Sequence, residues 1–362
     1  MKVIHFSTEK NWRGGEQQIA YLIDELNSHG IENHLICKKN SEMEKYAINQ
    51  NISFSALSIR NSIDLKAILN VSKIFNQQKA DFVHLHTSKA HTIGLAASFW
   101  APDQSFILHR RVSFPIRNSW INRKKYNSKS IKKIVCISND VASMVGKMVN
   151  NTQKIEIIYS GVDLEKFNLS SHNFNIREEL KISEDKNIVI GVGALSPEKD
   201  FTTFLKTAKI TLEEAQNVHF LIVGKGKEAP QLKELYQELG IKKNISFLGF
   251  RTDIPSILLQ SDIFMLCSQS EGLGTSFIDA SAAECALVGT NTGGIPEIIE
   301  DGKTGFLATV GNEQELSEKL ITILQNQELR HTFAAAAKEK AKAFSKVEMG
   351  KYYINLYEKL RE

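Results

Sequence analysis

Short apolar runs alternate with longer amphipathic segments in the first half of the chain. The runs are rich in β-branched and aromatic residues and read KVIHFS, NHLICKK, DFVHLHTS, SFILH and KKIVCIS. A segment between them, GEQQIAYLIDELNSHG, has the period of a helix, with an apolar face of Ile19, Leu22, Ile23 and Leu26 and a stop at Gly30. This alternation predicts βαβ units around a parallel sheet.

The same alternation of apolar runs and amphipathic segments is repeated in the second half, where the apolar runs are NIVIGVGAL, HFLIVGKG, NISFLGF, IFMLCS and ALVGTN. The chain has 362 residues, and a single core stops growing at about 250 to 300 residues. We therefore predict an α/β fold with two Rossmann-like domains, residues 1–167 and 168–345, joined by a polar linker at 167–175. Residues 346–362 predict an amphipathic helix that completes the first domain, with an apolar face of Met349, Tyr353, Leu356 and Leu360.

The composition is that of an ordinary globular protein, with 42% hydrophobic and 24% charged residues. No apolar run is long enough for a secretory signal or for a membrane span. The four cysteines are far apart and lie in apolar runs, which predicts buried, reduced thiols rather than disulfides or zinc. We expect a cytoplasmic protein.

Positive charge is concentrated in residues 109–133, which hold nine Lys or Arg residues and no acid, although the whole chain has a net charge of only +4. Aromatic and apolar residues, among them Phe114, Trp120 and Ile121, are interleaved with the cations. This pattern favours contact with an anionic membrane surface or an anionic acceptor. A solvated basic loop is the alternative, and no nucleic-acid-binding motif is present.

The stretch SEGLGTSFIDASAAE follows an apolar run and opens a predicted helix, and it carries acids at Glu271 and Asp279. Ligands of open α/β sheets bind where strands end and helices begin. Thr275 or Ser276 is the expected N-cap, the first amides of the helix would attract a diphosphate, and Gly274 lets a ligand approach closely. The two carboxylates would then accept hydrogen bonds from hydroxyl groups on either side of the diphosphate. A capped helix with solvated acids is the plainer interpretation.

Further Gly-rich turns follow other predicted strands: RGGEQ with Gly15, VGALSPEKDF with Gly193 and Lys199, LIVGKGKEAP with Gly224, and GTNTGGIPE. Each alone is explained by a tight turn or a surface lysine. Their recurrence at successive strand ends favours a site for a sugar nucleotide, which has hydroxyl groups on both sides of a diphosphate.

These motifs resemble the family-four retaining glycosyltransferases of the GT-B fold. SGVDLEKF, VGALSPEKD, LVGKGKEAPQLKELYQELGI, ISFLGFRTDIPSILLQSDIFMLCSQSEGLGTSFIDA and GTNTGGIPEIIEDGKTGFL carry the resemblance in the second half, and RGGE, HLHTSKAH and HRRVSFP carry it more loosely in the first. The resemblance implies two domains facing a deep cleft, the first binding the acceptor and the second the nucleotide-sugar donor.

The resemblance also implies roles for individual residues. Catalytic residues would be His109, Lys199 and Glu271, and no metal or other cofactor is expected. The donor would be bound by Gly15, Gly193, Lys199, Gly224, Phe250, Glu271, Gly274, Thr275, Ser276 and Asp279. His84 and His86 alternate on one strand as metal ligands can, but His86 is better interpreted as a polar residue lining the site.

Two positions depart from the family pattern. Ala194 stands where many members have an arginine that holds the diphosphate, so Arg13, Arg251 or another cation must compensate, or the donor binds less tightly. Asp279 replaces a second glutamate, so its shorter carboxylate must lie closer to the ribose or act through water.

The sequence therefore predicts a metal-independent retaining transferase that moves a hexose or related sugar from a nucleotide-sugar to a glycan or lipid-linked acceptor in cell-surface polysaccharide or lipopolysaccharide synthesis. Residues 109–133 would touch the inner face of the cell membrane. The alternatives are a catalytically weak sugar-nucleotide-binding subunit, a sugar-nucleotide epimerase of the same fold, and an oxidoreductase, whose dinucleotide motif is incomplete here. The sequence leaves the base, the sugar and the acceptor open.

Overall fold

The computed structural model describes residues 1–167 and 175–362. The described chain packs as two compact units: unit 1 is Met1–Gly161 with Lys346–Glu362, and unit 2 is Val162–Ser345. The predicted linker at 167–175 falls mainly on residues outside the described ranges. Phe167 is buried, and Val162 pairs in a short bridge with Ser345. The chain therefore passes into unit 2 at Gly161, a little before that linker.

Unit 1 contains a parallel sheet of seven strands in the order β3-β2-β1-β4-β5-β6-β7. The strands are β1 (Lys2–Phe6), β2 (Glu32–Lys38), β3 (Ser53–Leu57), β4 (Phe82–Leu85), β5 (Phe106–Arg110), β6 (Ile131–Cys136) and β7 (Ile155–Ile157). The helices between them are α1 (Gly14–Ser28), α2 (Glu42–Asn49), α3 (Leu65–Gln78), α4 (Ser88–Ala97), α5 (Trp120–Tyr126) and α6 (Asn139–Gly146).

Unit 2 contains a second parallel sheet, of six strands in the order β10-β9-β8-β11-β12-β13. The strands are β8 (Asn187–Val192), β9 (Val218–Val223), β10 (Ile245–Gly249), β11 (Ile263–Leu266), β12 (Ala286–Thr290) and β13 (Gly305–Ala308). The helices are α7 (Ile176–Leu180), α8 (Phe201–Glu214), α9 (Ala229–Glu238), α10 (Ile254–Leu258), α11 (Thr275–Ala282), α12 (Ile295–Ile298), α13 (Glu313–Gln325) and α14 (Gln327–Ala341).

The sequence predicts every central strand of both sheets and, in unit 2, also the edge strand β10. Strands β9, β11 and β12 are buried along their whole length, which is why they read as continuous apolar runs. The sequence prediction omits β3, β7 and β13, which are edge strands. The side chains of an edge strand are only partly covered, as in β3 and β7, so its sequence lacks a long apolar run.

The last helix, α15 (Lys346–Arg361), packs on α1 within unit 1. Its buried face consists of Met349, Tyr353, Leu356 and Tyr357. Gly350 permits the close approach, because a Cβ there would lie 2.7 Å from Cβ of Glu25. The apolar period of this helix is clear from the sequence, but the role of Tyr357, which is fully buried, is not.

The strand order reverses in both sheets next to the first strand of each unit. β1 lies between β2 and β4, and β8 lies between β9 and β11. Loops that leave neighbouring strands in opposite directions open a crevice at such a point, and ligands of parallel sheets bind there. Each unit therefore has one favoured edge for a site, at the carboxyl ends of its central strands.

Within the described residues, all four cysteines are free and buried, as the sequence predicts. No helix in the same ranges is long and apolar enough to cross a bilayer.

Candidate functional site

Lys199 and Glu271 meet at the switch point of unit 2. Lys199 follows β8, Glu271 follows β11, and Lys199 Nζ lies 2.5 Å from Glu271 Oε2. Ser268 Oγ donates to the same carboxylate oxygen at 3.4 Å. Both charged side chains are about four-fifths buried or more, with exposures of 20% and 14%. The sequence named both residues, but their contact spans 72 positions and was not anticipated.

Glycines let the loops of this edge pack backbone against backbone. A Cβ at Gly224, whose φ is +149°, would lie 1.8 Å from the carbonyl oxygen of Gly193. A Cβ at Gly293 would lie 1.9 Å from the carbonyl oxygen of Glu271. A side chain at either position would push the loops apart. Gly193 packs against the aliphatic part of the Lys199 side chain, because a Cβ placed on this glycine would lie 3.5 Å from Cδ of Lys199.

A pocket of about 320 Å³ adjoins these loops. Its lining includes the predicted residues Gly193, Gly224 and Phe250. Phe250 is 65% exposed, so one face of its ring is available to stack on a flat ligand. The size is within the range of about 300 to 1,000 Å³ that is usual for small-molecule sites.

Ala194 lines the same pocket, and the cations around it show which residue could replace the missing arginine. Arg251 also lines the pocket, but its guanidinium is bonded to Glu179 and to Asp253. Lys225 lines the pocket as well, and its ammonium lies 5.5 Å from the centre of the Phe250 ring. Lys225 has no salt bridge to any described residue, and the sequence did not single it out.

The start of α11 differs in one detail from the prediction. Gly274 is the N-cap, in a left-handed conformation with φ of 96°, and no side chain caps the helix. The predicted caps Thr275 and Ser276 are instead the first two helical residues, so that expectation was wrong. The reason is that the chain must turn sharply out of the Glu271 loop, and only glycine does so without strain. The first amides of the helix are left without intrahelical partners.

Asp279 lies one turn into α11 and is half-buried. Burial raises the pKa of its carboxyl group to about 7, and the charge of Lys166 offsets only part of this shift. No hydrogen bond joins Asp279 to Lys199, Glu271 or the Gly-rich loops within the described ranges. Its ribose contact stays a prediction.

Unit 1 has its own pocket at its switch point, with a volume of about 410 Å³. Gly15, at the start of α1, and His109, at the end of β5, both line it, as do His86, Glu16 and Arg111. The predicted residues of unit 1 are therefore brought together around one hollow. Glu16 and Arg111 were not predicted as site residues, although the RGGE and HRRV motifs contain them.

Arg111 organises four buried histidines behind this pocket. Its two terminal nitrogens lie 3.1 Å from His86 Nδ1 and 3.2 Å from His109 Nδ1. A guanidinium only donates, so both Nδ1 atoms must accept and both protons are assigned to Nε2.

The assignment then spreads through the cluster. His86 Nε2 donates to His5 Nδ1 at 3.1 Å, and His5 Nε2 donates to Asn33 at 2.9 Å. By the same logic, His109 Nε2 donates to His84 Nδ1 at 2.7 Å, and His84 Nε2 donates to the Tyr357 hydroxyl at 2.8 Å. One arginine thus fixes one tautomer for each of the four rings.

The cluster is neutral. Burial, assisted by the charge of Arg111, lowers the pKa of His5 to about 4 and holds those of His84, His86 and His109 well below the usual value. Both ring nitrogens of His109 are bonded to protein groups, so as arranged neither is free for a substrate. Its predicted catalytic role stays a prediction.

Three of these histidines satisfy the spacing of a metal site, because nitrogens of His5, His84 and His86 lie within 4.8 Å of one another. Every one of their ring nitrogens is already hydrogen-bonded. A cation there would also lie close to the Arg111 guanidinium, which interacts electrostatically with all three rings. The donor set therefore fits a hydrogen-bonded cluster better than a metal centre.

The basic segment 109–133 divides into inward and outward cations. Arg111 binds the histidines, Lys125 Nζ donates to Thr92 at 2.8 Å, and Lys133 pairs with Glu156 at 3.0 Å. The outward cations include Arg123 and Lys124 on α5, and they lie near two exposed apolar side chains of the same helix, Trp120 at 73% and Ile121 at 54% exposure. The segment is therefore less uniform a surface than its sequence indicates.

Comparison with known proteins yields two family matches that together span most of the chain. The family described as "Glycosyl transferases group 1" matches residues 173–340, and "Glycosyltransferase Family 4" matches residues 12–166. The first match falls within unit 2. The second falls mainly within unit 1.

Individual relatives agree with these matches. The chain is 25% identical over 347 residues to the Escherichia coli UDP-Gal:alpha-D-GlcNAc-diphosphoundecaprenol alpha-1,3-galactosyltransferase, covering 91% of this chain and 89% of the relative. It is 24% identical to the Staphylococcus aureus capsular polysaccharide biosynthesis glycosyltransferase CapM, over 86% and 85% of the two chains. The crystal structure of Anabaena HepE in complex with UDP and glucose has the same fold, with a TM-score of 0.85 at 21% identity, covering 99% of this chain and 100% of that one.

The neutral histidine cluster predicts that unit 1 loses stability in acid. His5 binds its proton with a pKa of about 4 when folded and 6.5 in its ordinary state, so the unfolded chain takes up the proton first as the pH falls. The free energy of unfolding of unit 1 should be greatest above pH 6.5. Between pH 6.5 and pH 4 it should decrease by about 1.4 kcal/mol for each pH unit and for each such histidine. All three tryptophans lie in unit 1, so urea unfolding followed by tryptophan fluorescence at pH 7.5, 6.5 and 5.5 measures it.

The variant His5→Asn removes one of these titrations and should show a shallower loss between pH 6.5 and 5.5. The exposed His331 provides the matched control, because His331→Asn should keep the wild-type slope. Equal slopes for wild type and His5→Asn would contradict the neutral cluster.

Proposed function

Because the chain belongs to the group 1 glycosyltransferases of family four and has their GT-B fold, we propose that it transfers a sugar from a nucleotide-sugar donor to a glycan or lipid-linked acceptor, with retention of anomeric configuration. The observation that carries this proposal is the Lys199–Glu271 pair beside the start of α11. It combines a cation and helix amides for a diphosphate with a carboxylate for hydroxyl groups.

The class of acceptor is supported by the relatives. The Escherichia coli relative uses a sugar linked to diphosphoundecaprenol, and the Staphylococcus aureus relative serves capsular polysaccharide synthesis. We propose the same broad class for this chain, in the synthesis of a cell-surface polysaccharide or lipopolysaccharide. The donor base is proposed to be uracil, since the Escherichia coli relative uses UDP-Gal and Anabaena HepE binds UDP.

The geometry of the pair suits this chemistry. An ammonium has three donors, so Lys199 can hold Glu271 and a phosphate oxygen at the same time. Glu271 is thereby fixed in orientation and can accept from hydroxyl groups of the donor sugar. Asp279 would accept from the ribose, whose hydroxyl donors would favour its charged form against the burial that raises its pKa.

The transfer itself needs no protein nucleophile. An acceptor hydroxyl oxygen forms a bond to C1 of the sugar while the bond from C1 to the diphosphate breaks, and the hydroxyl proton passes to the departing phosphate. Negative charge grows on the diphosphate, where Lys199 and the amides of Thr275 and Ser276 stabilise it. No step in this scheme uses a metal.

Removing either member of the pair tests the function. Lys199→Met should lower kcat about 10²- to 10³-fold, because the growing charge on the diphosphate loses its cation. Glu271→Gln should reduce kcat/KM for the donor. The measurement is transfer from UDP-sugars to a panel of lipid-linked and soluble glycans, with the anomeric configuration of the product determined by NMR.

An exposed pair on α8 supplies the control. Lys209 and Glu213 lie 3.2 Å apart at 42% and 60% exposure, and Lys209→Met and Glu213→Gln should leave transfer unchanged. Near-normal transfer by both site variants would overturn the mechanism. Donor binding by the wild type without any transfer would indicate a binding subunit instead.

Lys225 is proposed to replace the family arginine that is Ala194 here. Lys225→Met should weaken UDP binding about 3- to 10-fold, since an exposed charge contact contributes modestly. Lys227→Met removes another exposed lysine, two residues away, and should have no effect. Titration calorimetry with UDP measures both, and equal affinities for the two variants would assign the role elsewhere.

A second proposal concerns the membrane. The outward face of α5, with Trp120, Ile121 and Lys124, is proposed to lie on an anionic lipid surface, which would bring the enzyme to a lipid-linked acceptor. The chain should then act as a peripheral protein on the inner face of the cell membrane.

Flotation with vesicles tests that contact. The vesicles contain about 30% phosphatidylglycerol, a level at which anionic lipids attract basic segments. The wild type should float with these vesicles and should not float with neutral ones. Trp120→Ser should reduce flotation several-fold. Leu65→Ser, at a residue 70% exposed on α3, should not. Flotation that ignores both lipid charge and Trp120 would contradict the proposal.

A further inference from the structure

Glu16 is a buried acid of the unit 1 pocket that no step of the mechanism uses. It is only 3% exposed, and it lines the pocket. Its carboxylate accepts from its own backbone N–H and from Ser7 Oγ, the latter at a long 3.3 Å. Within the described ranges it has no salt bridge, and burial raises the pKa of its carboxyl group.

Arg111 lines the same pocket and is equally without a salt bridge to a described carboxylate. It interacts with Glu16 electrostatically, but the two do not pair. A guanidinium has five N–H donors. Arg111 uses some of them on His86, His109 and Tyr353 and retains others.

The pocket thus presents an acceptor and a donor that do not satisfy each other. Neutral protein groups satisfy part of the hydrogen-bonding capacity of each charge, and a ligand in the pocket can satisfy the rest, since a partly buried charge without a counter-ion is otherwise unfavourable. Arg110, on the same wall, has a buried Nε–H that also lacks a partner among the described residues.

The mixture of charges selects the class of ligand. An anion would meet the carboxylates of Glu9 and Glu16, and a cation would meet Arg13, Arg110 and Arg111. The neutral histidines at the back add no charge. A neutral ligand whose groups both donate and accept is the chemistry that fits, and hydroxyl groups do both.

We propose that Glu16 and Arg111 bind neighbouring hydroxyl groups of a sugar ring in the unit 1 pocket, with Glu16 accepting and Arg111 donating. This inference rests on the proposed function, and it adds the residues that recognise the sugar. The ring could belong to the acceptor or to the donor, since both carry the same hydroxyl chemistry. Glu16 is then a binding residue, rather than only a helix-capping acid at the start of α1.

Saturation-transfer NMR on the full chain tests the proposal with two probes. Methyl N-acetyl-α-D-glucosaminide represents an acceptor sugar, and it is added in the presence of saturating UDP. UDP-glucose, compared with UDP alone, represents a donor sugar. Glu16→Gln keeps the bond from Ser7 but loses the charge, and Arg111→Lys keeps the charge but loses the fork of parallel donors.

We expect both variants to weaken one of the two probes by about 10-fold or more, as the loss of a charged hydrogen bond does. If the variants bind the glycoside less tightly, the sugar ring in the pocket belongs to the acceptor. If UDP-glucose no longer binds more tightly than UDP, the ring belongs to the donor. Glu32→Gln, at an exposed acid at the opposite end of the unit 1 strands, should change neither.

The melting temperature followed by tryptophan fluorescence separates binding from folding, because Glu16→Gln should bind less while melting as the wild type does. If neither probe is weakened in Glu16→Gln, or if no sugar probe binds the wild type, the inference is wrong. If UDP itself fails to bind the wild type, the proposed function is at fault, and that result is read from the UDP signals independently of the sugar signals.

Discussion

The candidate site of unit 2 depends on the close approach of backbones at the carboxyl ends of its strands. The loop after β9 reaches the loop after β8 through Gly224, and the loop after β12 reaches Glu271 through Gly293, each at a distance that no Cβ would allow. These approaches place Lys199 and Glu271 against each other although they lie 72 positions apart. The ion pair is therefore a consequence of loop packing, and the glycines are required before any charged residue can act.

Unit 1 builds its pocket in another way, around the half-buried cation of Arg111. Arg111 has no carboxylate partner within the described ranges, so its charge is stabilised by acceptor nitrogens of neutral histidines and by a tyrosine hydroxyl from α15. This arrangement requires His86 and His109 to stay unprotonated, because a protonated ring could not accept from the guanidinium. The last helix also contributes to it, because Tyr353 and Tyr357 complete the hydrogen bonds of the cluster while the helix buries its apolar face in unit 1.

The strands and the strand-end motifs could be predicted from the sequence, because each is set by neighbouring residues. The contacts between residues far apart in the chain could not. The alternation of apolar runs gave both parallel sheets, and the strand-end rule located Lys199, Gly224 and Glu271, because each motif contains its strand, its turn and its helix. The edge strands β3 and β7 lacked the apolar run that burial on both faces imposes. Arg111 was counted with a basic surface, since composition does not distinguish a cation that faces solvent from one that faces histidines. Lys225 and Glu16 lay inside quoted motifs, but only the pockets gave them a role.

The two pockets differ in how their charges are balanced, and the difference bears on what each can bind. In unit 2, the pocket is lined by Arg251, which is neutralised by Glu179 and Asp253, and by Lys225, which has no salt bridge to a described residue, so the balance favours an anion. In unit 1, the buried Glu16 and the half-buried Arg111 coexist without an ion pair, so neither sign prevails, which suits the neutral hydroxylated ligand proposed there. A sugar nucleotide and a glycan present these same two chemistries, a diphosphate and hydroxyl groups. The charge pattern of the two units thus fits the two ligand chemistries of the proposed transfer.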